Sequence, residues 1–267
     1  MISSLSITQF RAAVVCLVFL AVAPLHAGQL LPPFSDIPTG WFTDRYAPAS
    51  FSNVGSYQGQ SNVLGIGIDA SGSFNNRPAP YQSTFYNTQG DQHAITGGVG
   101  DLITAALFIP SSWADPSASG NVRTDMWGVM TDGTTITNYP VIGFTNYGGA
   151  PRYRVWDDSG SGQWIDLALP VQYDQWTGMG IALTPTSIVY TINGSPVASL
   201  TDIGSTTNFS ATIFQAYNFG GDPSITGATF QPYTAYWAEG TPEPGTVGMV
   251  LGGVSLVILG RFRGRRK

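Results

Sequence analysis

Between Gly28 and Gly240 the chain has no cysteine and no lysine, and only one histidine (His93) and one glutamate (Glu239). Each shortage removes a class of chemistry. Without cysteine there is neither a thiol nucleophile nor a disulfide, so a hydrophobic core alone must hold the segment. One histidine is too few for a zinc site built on imidazoles. A Ser-His-Asp triad through His93 survives counting, but Gln89-Gly90-Asp91-Gln92-His93 reads as a polar loop. No Gly-x-Ser-x-Gly occurs, so the nucleophile elbow of α/β-hydrolases is missing. A retaining glycosidase needs two carboxylates about 5–5.5 Å apart, and a lone glutamate supplies no glutamate pair. Aspartates would have to serve instead. Asp157, Asp158 and Asp166 lie within ten residues. However, adjacent residues on a strand face opposite ways, and the glycines that follow mark a turn.

The same segment sets five arginines against fifteen acids, a net charge of −10. That balance argues against nucleic acid and against charge-driven binding to anionic lipid. It suits neutral glycans or divalent cations. At 213 residues the segment is long enough to bury a core.

What is present is β-structure. Leu64, Ile66 and Ile68 alternate with glycines and share one face of a predicted strand. Met126–Met130 is a second strand, closed by Asp132-Gly133. Residues 141–147, 152–157 and 163–169 form a meander interrupted by glycine-rich turns at 148–151 and 159–162. Residues 179–183, 188–192 and 196–200 add three strands. Asn193-Gly194 marks a hairpin, because a type I′ turn requires positive φ at both central positions. No helical period persists between the termini, so the expectation over residues 28–240 is an all-β domain, an antiparallel sandwich or a barrel.

Trp176-Thr177-Gly178-Met179-Gly180-Ile181-Ala182-Leu183, followed by Tyr190-Thr191-Ile192-Asn193-Gly194, resembles the concanavalin-like or laminin-G-like jelly roll. In that fold a tryptophan opens one strand and the next ends in a Tyr-x-x-Asn-Gly hairpin. The resemblance implies a sugar-binding lectin, an adhesion module or a β-glucanase. Glucanases of this fold carry paired glutamates on one strand with an aspartate between, and that motif is absent here. The resemblance also implies a rim Ca2+ held by aspartates, whose identity stays unknown. Asp157-Asp158-Ser159-Gly160 begins like an EF-hand loop, but Ala168 stands where the bidentate glutamate belongs.

The two ends read as sorting signals. Arg11 precedes an apolar stretch from Ala12 to Ala23, and Leu25-His26-Ala27 offers a cleavage site, so residues 1–27 are expected to be a signal peptide. Pro242-Glu243-Pro244 leads into an apolar run from Gly245 to Gly260. Arg261, Arg263, Arg265, Arg266 and Lys267 then form a basic stop. Sixteen helical residues cover ~24 Å, short of a ~30 Å hydrocarbon core. The run suits a transient stop, and a plain single-span anchor remains the alternative. Residues 241–267 resemble the PEP-CTERM sorting signal, which implies recognition by an exosortase, export across the inner membrane and association with exopolysaccharide.

Aromatic residues supply the sugar-binding case. Trp113, Trp127, Trp156, Trp164 and Trp176 crowd the middle of the segment with Tyr139, Tyr147 and Tyr153. Alternation sets Arg152, Arg154 and Trp156 on one face of a strand, opposite Tyr153 and Val155. That strip is the expected ligand surface. The competing arrangement buries Trp156 in the core and pairs the arginines with Asp157 or Asp166. Taken together, these features predict an exported, non-catalytic module that binds or organises extracellular polysaccharide. A glycan-active enzyme using aspartates and a purely structural matrix protein are the alternatives.

Overall fold

The computed structural model describes residues 28–158 and 161–240. The predicted signal peptide, the Pro242-Glu243-Pro244 hinge, the apolar run and the basic stop lie outside the described residues, as do Ser159 and Gly160 of the glycine-rich turn. Among the described residues, no helix is long and apolar enough to cross a membrane.

Among the described residues, sixteen strands form two sheets. They are β1 (Gly28–Leu30), β2 (Trp41–Thr43), β3 (Ser50–Asn53), β4 (Leu64–Ile68), β5 (Thr88–Gly98), β6 (Asp101–Ile109), β7 (Arg123–Thr131) and β8 (Ile136–Asn138). After them come β9 (Val141–Thr145), β10 (Arg152–Asp157), β11 (Gln163–Asp166), β12 (Gln175–Leu183), β13 (Ile188–Ile192), β14 (Ser195–Leu200), β15 (Asn208–Tyr217) and β16 (Tyr233–Glu239). The first sheet runs β14-β13-β12-β6-β16-β4-β3, with β1 parallel to β6. The second runs β11-β10-β9-β7-β15-β5-β2, with β8 beside β7. All other pairings are antiparallel, and the expected β-sandwich is what the chain forms.

Alternation builds the core between the sheets. Leu64, Ile66 and Ile68 of β4, Met179 and Ile181 of β12, and Trp237 of β16 point inward from the first sheet. Met126 of β7, Phe144 of β9, Tyr153 and Val155 of β10, and Phe214 of β15 meet them from the second. Burying these side chains drives folding, at about 1.5–3 kcal/mol each relative to exposure. The polar tips of the buried rings are satisfied across the sandwich. Trp237 Nε1 donates to Thr124 Oγ1 at 3.0 Å, and Tyr153 and Thr177 share a hydroxyl bond of 3.1 Å. Tyr190 donates to the Trp156 carbonyl at 2.7 Å. This last bond ties the tyrosine of the Tyr-x-x-Asn-Gly hairpin to the strand carrying the predicted ligand strip. The turn itself has φ of 49° at Asn193 and 77° at Gly194, as the Asn-Gly pair demands.

One expectation needs correction. Gln89–His93 is not a loop but the first half of the long inner strand β5. Its polar letters conceal the strand because its flanks are masked by close packing rather than by apolar side chains. A Cβ on Gly90 would collide with the backbone of Phe214 and Gln215 in β15. His93 lies against Trp41, ring centroids 5.1 Å apart, on the core side of this sheet. Trp176 lies outside the sandwich core. It sits half-buried on the outer face of the first sheet, where its Nε1 donates to the Gln58 carbonyl at 2.9 Å.

Candidate functional site

The second sheet turns its other face to a groove, and cross-strand register lays that face out in transverse rows. Residues paired across antiparallel strands point the same way. One row reads Gln215, Asp125, Gly143, Arg154, Asp166, passing from β15 through β7, β9 and β10 to β11. The adjacent row reads Ile213, Trp127, Val141, Trp156, Trp164. A polar row therefore lies beside an aromatic one. On the far side of the polar row, Arg123 and Arg152 both pair with Thr145.

The aromatic row and its neighbours enclose about 460 Å³. Trp127, Trp156 and Trp164 line this space with Tyr139, Phe85 and Tyr217, and Arg45 and Arg123 reach into it. The rings are held by cations and by each other. Trp156 meets Trp164 edge-on at 5.2 Å. Arg45 lies 4.7 Å from the ring centres of both Phe85 and Trp127. Arg123 covers Trp164 at 4.7 Å and Tyr217 at 5.2 Å, and Arg154 lies 3.7 Å from the Trp164 centroid.

The polar row is short of partners. Asp125 is 1 % exposed; its Oδ2 accepts from Arg123 Nε at 2.6 Å, while Oδ1 has no hydrogen bond. Both amide atoms of Gln215 and the Nε atoms of Trp127 (Nε1) and Arg154 are buried and unpartnered as well. Unsatisfied buried polar atoms are uncommon and costly, and although others lie elsewhere, at Thr104 and His93 among them, these five share one face of one sheet. Gly143 makes the arrangement fit, because a Cβ there would strike Asp125 Oδ1. Burial and the nearby Arg123 charge push the Arg154 pKa down. At the edge of the groove burial raises the Asp44 pKa against the opposing pull of Arg45, whose Nε is 3.5 Å away.

The predicted strip thus faces the groove as alternation required, with Tyr153 and Val155 in the core. Its three members differ. Trp156 lines the open space, Arg152 lies 2.8 Å from Asp166, and Arg154 is covered by Trp164 at 8 % exposure. The predicted tryptophan crowd separates too. Trp113 and Tyr153 are core, Trp176 is on the opposite sheet, and Trp127, Trp156, Trp164 and Tyr139 meet at the groove. Sequence reading missed Arg123, Asp125 and Gln215. Arg123-Thr124-Asp125-Met126-Trp127 carried the signal, since Met126 was already assigned to a strand and its neighbours alternate with it. Asp158 accepts from the Tyr139 amide at 2.8 Å, so it and Asp166 brace the rim. For Ca2+, no group of three or more His, Cys, Asp or Glu is placed to hold an ion among the described residues.

No protein-family model matches the chain, and no curated protein matches it in sequence. Solved structures similar to it at low identity are found. A Bacillus licheniformis β-glucanase is 15% identical, with a TM-score of 0.45 over 80% of this chain and 98% of its own. A β-1,3-1,4-glucanase (lichenase) from a mouse hindgut metagenome is 14% identical, with a TM-score of 0.46 over 80% and 98%. A glycoside hydrolase family 16 endo-glucanase from Bacteroides ovatus is 12% identical, with a TM-score of 0.47 over 78% and 98%. The expectation of a non-catalytic module, and of a chain that is not an enzyme, is corrected: the solved structures it is similar to are named for glycan cleavage. That expectation rested on counting glutamates, and a count does not register a groove. The departure from the glucanase motif is still specific. Between Gly28 and Gly240 the only glutamate is Glu239, so the paired-glutamate motif of the glucanases is absent.

Proposed function

We propose that the protein is an exported glycan-active enzyme that receives an extracellular polysaccharide in the groove of the second sheet and acts on it there. The observation that supports this reading most is the pairing of an open aromatic row with a polar row of unpartnered buried atoms. Pyranose rings present apolar faces that stack on Trp and Tyr, and hydroxyls that hydrogen-bond to amide, carboxylate and guanidinium groups at the edges. With the glutamate pair absent, the chemistry falls to aspartate. Asp125 is the carboxylate of the groove floor, and its Oδ1 is the free acceptor. Arg123, which covers Asp125, has to shift for a substrate to reach it. The terminal segments complete the proposal: a signal peptide exports the chain, and an exosortase-type enzyme processes the Pro242-Glu243-Pro244 tail.

The test is incubation of the purified protein with a panel of neutral and acidic polysaccharides, scoring new chain ends. Turnover of at least one, lost in Asp125→Asn while binding persists, is the expected result. No turnover across the panel, or full turnover by Asp125→Asn, overturns the catalytic reading. For the tail, an antibody against the body should find mature protein lacking Arg261–Lys267. Quantitative retention of full-length protein in the inner membrane contradicts processing.

A further inference from the structure

The charge of the groove differs from the charge of the body. Residues 28–240 are acidic, with five arginines against fifteen acids. Four of those five, Arg45, Arg123, Arg152 and Arg154, stand on the groove face or its rim. The carboxylates paired with them are Asp44 at 3.5 Å, Asp125 at 2.6 Å and Asp166 at 2.8 Å. One guanidinium is left over. Arg154 forms no ion pair among the described residues, its Nε has no hydrogen bond, and it is packed against Trp164.

We propose that the groove is built for a polysaccharide carrying anionic groups, carboxylate or sulfate ester, which Arg154 and Arg123 receive. The proposal rests on the reading that the groove holds a glycan, and it names the class. Asp125 and Asp166 favour the Arg154 charge only from a distance; a neutral glycan would leave it without a direct partner in a buried place, whereas an oxyanion satisfies the charge and the free N–H together. The lowered Arg154 pKa agrees: burial, first, and the Arg123 charge, second, both act against the cation. Arginine nevertheless stays protonated in proteins, so the cost persists until an anion arrives. Asp125 Oδ1 works in the opposite direction, since a carboxylate on the floor repels an approaching anion. The register confines that repulsion, because Asp125 lies two strands from Arg154 and beneath Arg123, while Asp166, beside Arg154 in the same row, is held by Arg152 at 2.8 Å. The anion is therefore expected on the β10–β11 side of the groove, and uncharged sugar faces over Trp127 and Tyr139. The body's remaining acids lower the overall affinity for a polyanion without removing the local preference, since exposed charges beyond about 8–10 Å are screened at physiological salt.

Titration calorimetry with the purified protein tests this with three probes of matched length: oligogalacturonate, its methyl ester, and a sulfated galactan oligosaccharide. The expected result is that one charged oligomer or both bind at least about tenfold more tightly than the ester, the scale of one charge-assisted hydrogen bond. Added salt should shrink the difference. Arg154→Gln should abolish it while leaving ester binding in place. Whichever charged probe binds more tightly identifies the anion. Equal or tighter binding of the ester overturns the charge preference and leaves the glycan reading intact. Failure of all three probes to bind overturns both. The wild-type comparison of acid with ester stands on its own if the variant fails to fold.

Discussion

Each sheet carries a cluster of rings on the face turned away from the core, and the two clusters are finished differently. On the first sheet Tyr57 stacks on Tyr236 at 3.9 Å, Phe108 meets Tyr57 edge-on, and Trp176 closes the group. The loop between β3 and β4, pinned by the Val54 amide on the Val63 carbonyl, lays its own Tyr57 over the strand rings, and its Gln58 carbonyl takes the Trp176 N–H. On the second sheet, Trp127, Trp156 and Trp164 line an open space rimmed by Arg45, Thr84 and Phe85, and arginines lie against the rings. There the Trp127 N–H stays unpaired. Both clusters use the same residue types at strand spacing. What separates a structural cluster from a ligand surface is whether the chain itself supplies the cover and the missing hydrogen-bond partner.

Removing rings should break the two clusters in different ways. Trp176→Ala takes away a half-buried ring and its hydrogen bond, so stability should fall by ~2–3 kcal/mol with glycan affinity of the folded fraction unchanged. Denaturant unfolding alongside calorimetry checks both. Trp156→Ala should show the reverse pattern. Glycan affinity drops by ~2 kcal/mol, roughly thirtyfold, while stability falls by only ~1 kcal/mol. A destabilised Trp156→Ala whose folded fraction binds normally would make the groove cluster structural, like its counterpart.

Charge sharpens the contrast further. Arg154→Met replaces an unpaired buried cation with an apolar side chain of similar length. Melting temperature should hold or rise by a few degrees, because exchanging a poorly compensated buried charge for good packing is often neutral or stabilising. Binding of an anionic glycan should weaken in the same protein, which is the trade expected of a functional site. A strongly destabilised Arg154→Met would mean that the guanidinium has a structural role.

The smallest effect concerns pH. Burial raises the pKa of Asp44 beside the groove and of Asp158 under Tyr139. A carboxylate whose folded pKa lies above its unfolded value stabilises the fold while protonated, and loses that contribution as pH rises through the folded pKa. Acidification from pH 7 toward pH 5 should therefore hold or slightly raise the melting temperature, and it also relieves the self-repulsion of a net-acidic body. Asp44→Asn and Asp158→Asn should each flatten the profile. A steep loss of stability between pH 7 and pH 5 contradicts this assignment.

Much of the architecture was readable from the chain because it is locally encoded. The β13–β14 hairpin follows from Asn193-Gly194, and the meander β9-β10-β11 from its glycine-rich turns. The groove was readable only in part. Alternation correctly sorted Arg152, Arg154 and Trp156 from Tyr153 and Val155, since period two is a local rule. That Asp125, Gly143 and Arg154 share one row depends on the register of β7, β9 and β10, which no single strand contains. Strand β5 was hidden for a related reason. Its Gly90 is needed for close approach to β15, and close approach leaves no apolar letter to count. Trp176 carried the family-like pattern yet faces outward, because the loop that covers it comes from residues more than a hundred positions earlier in the chain.

The most direct test of the account is ligand-dependent hydroxyl-radical footprinting of the purified protein with a glycan that binds. The account predicts protection of Trp156, Trp164 and Trp127 on the second sheet, with Trp176 and Tyr57 on the first unchanged by ligand. Protection of Trp176 and Tyr57 without protection of the groove tryptophans would contradict it and move the site to the opposite face of the sandwich.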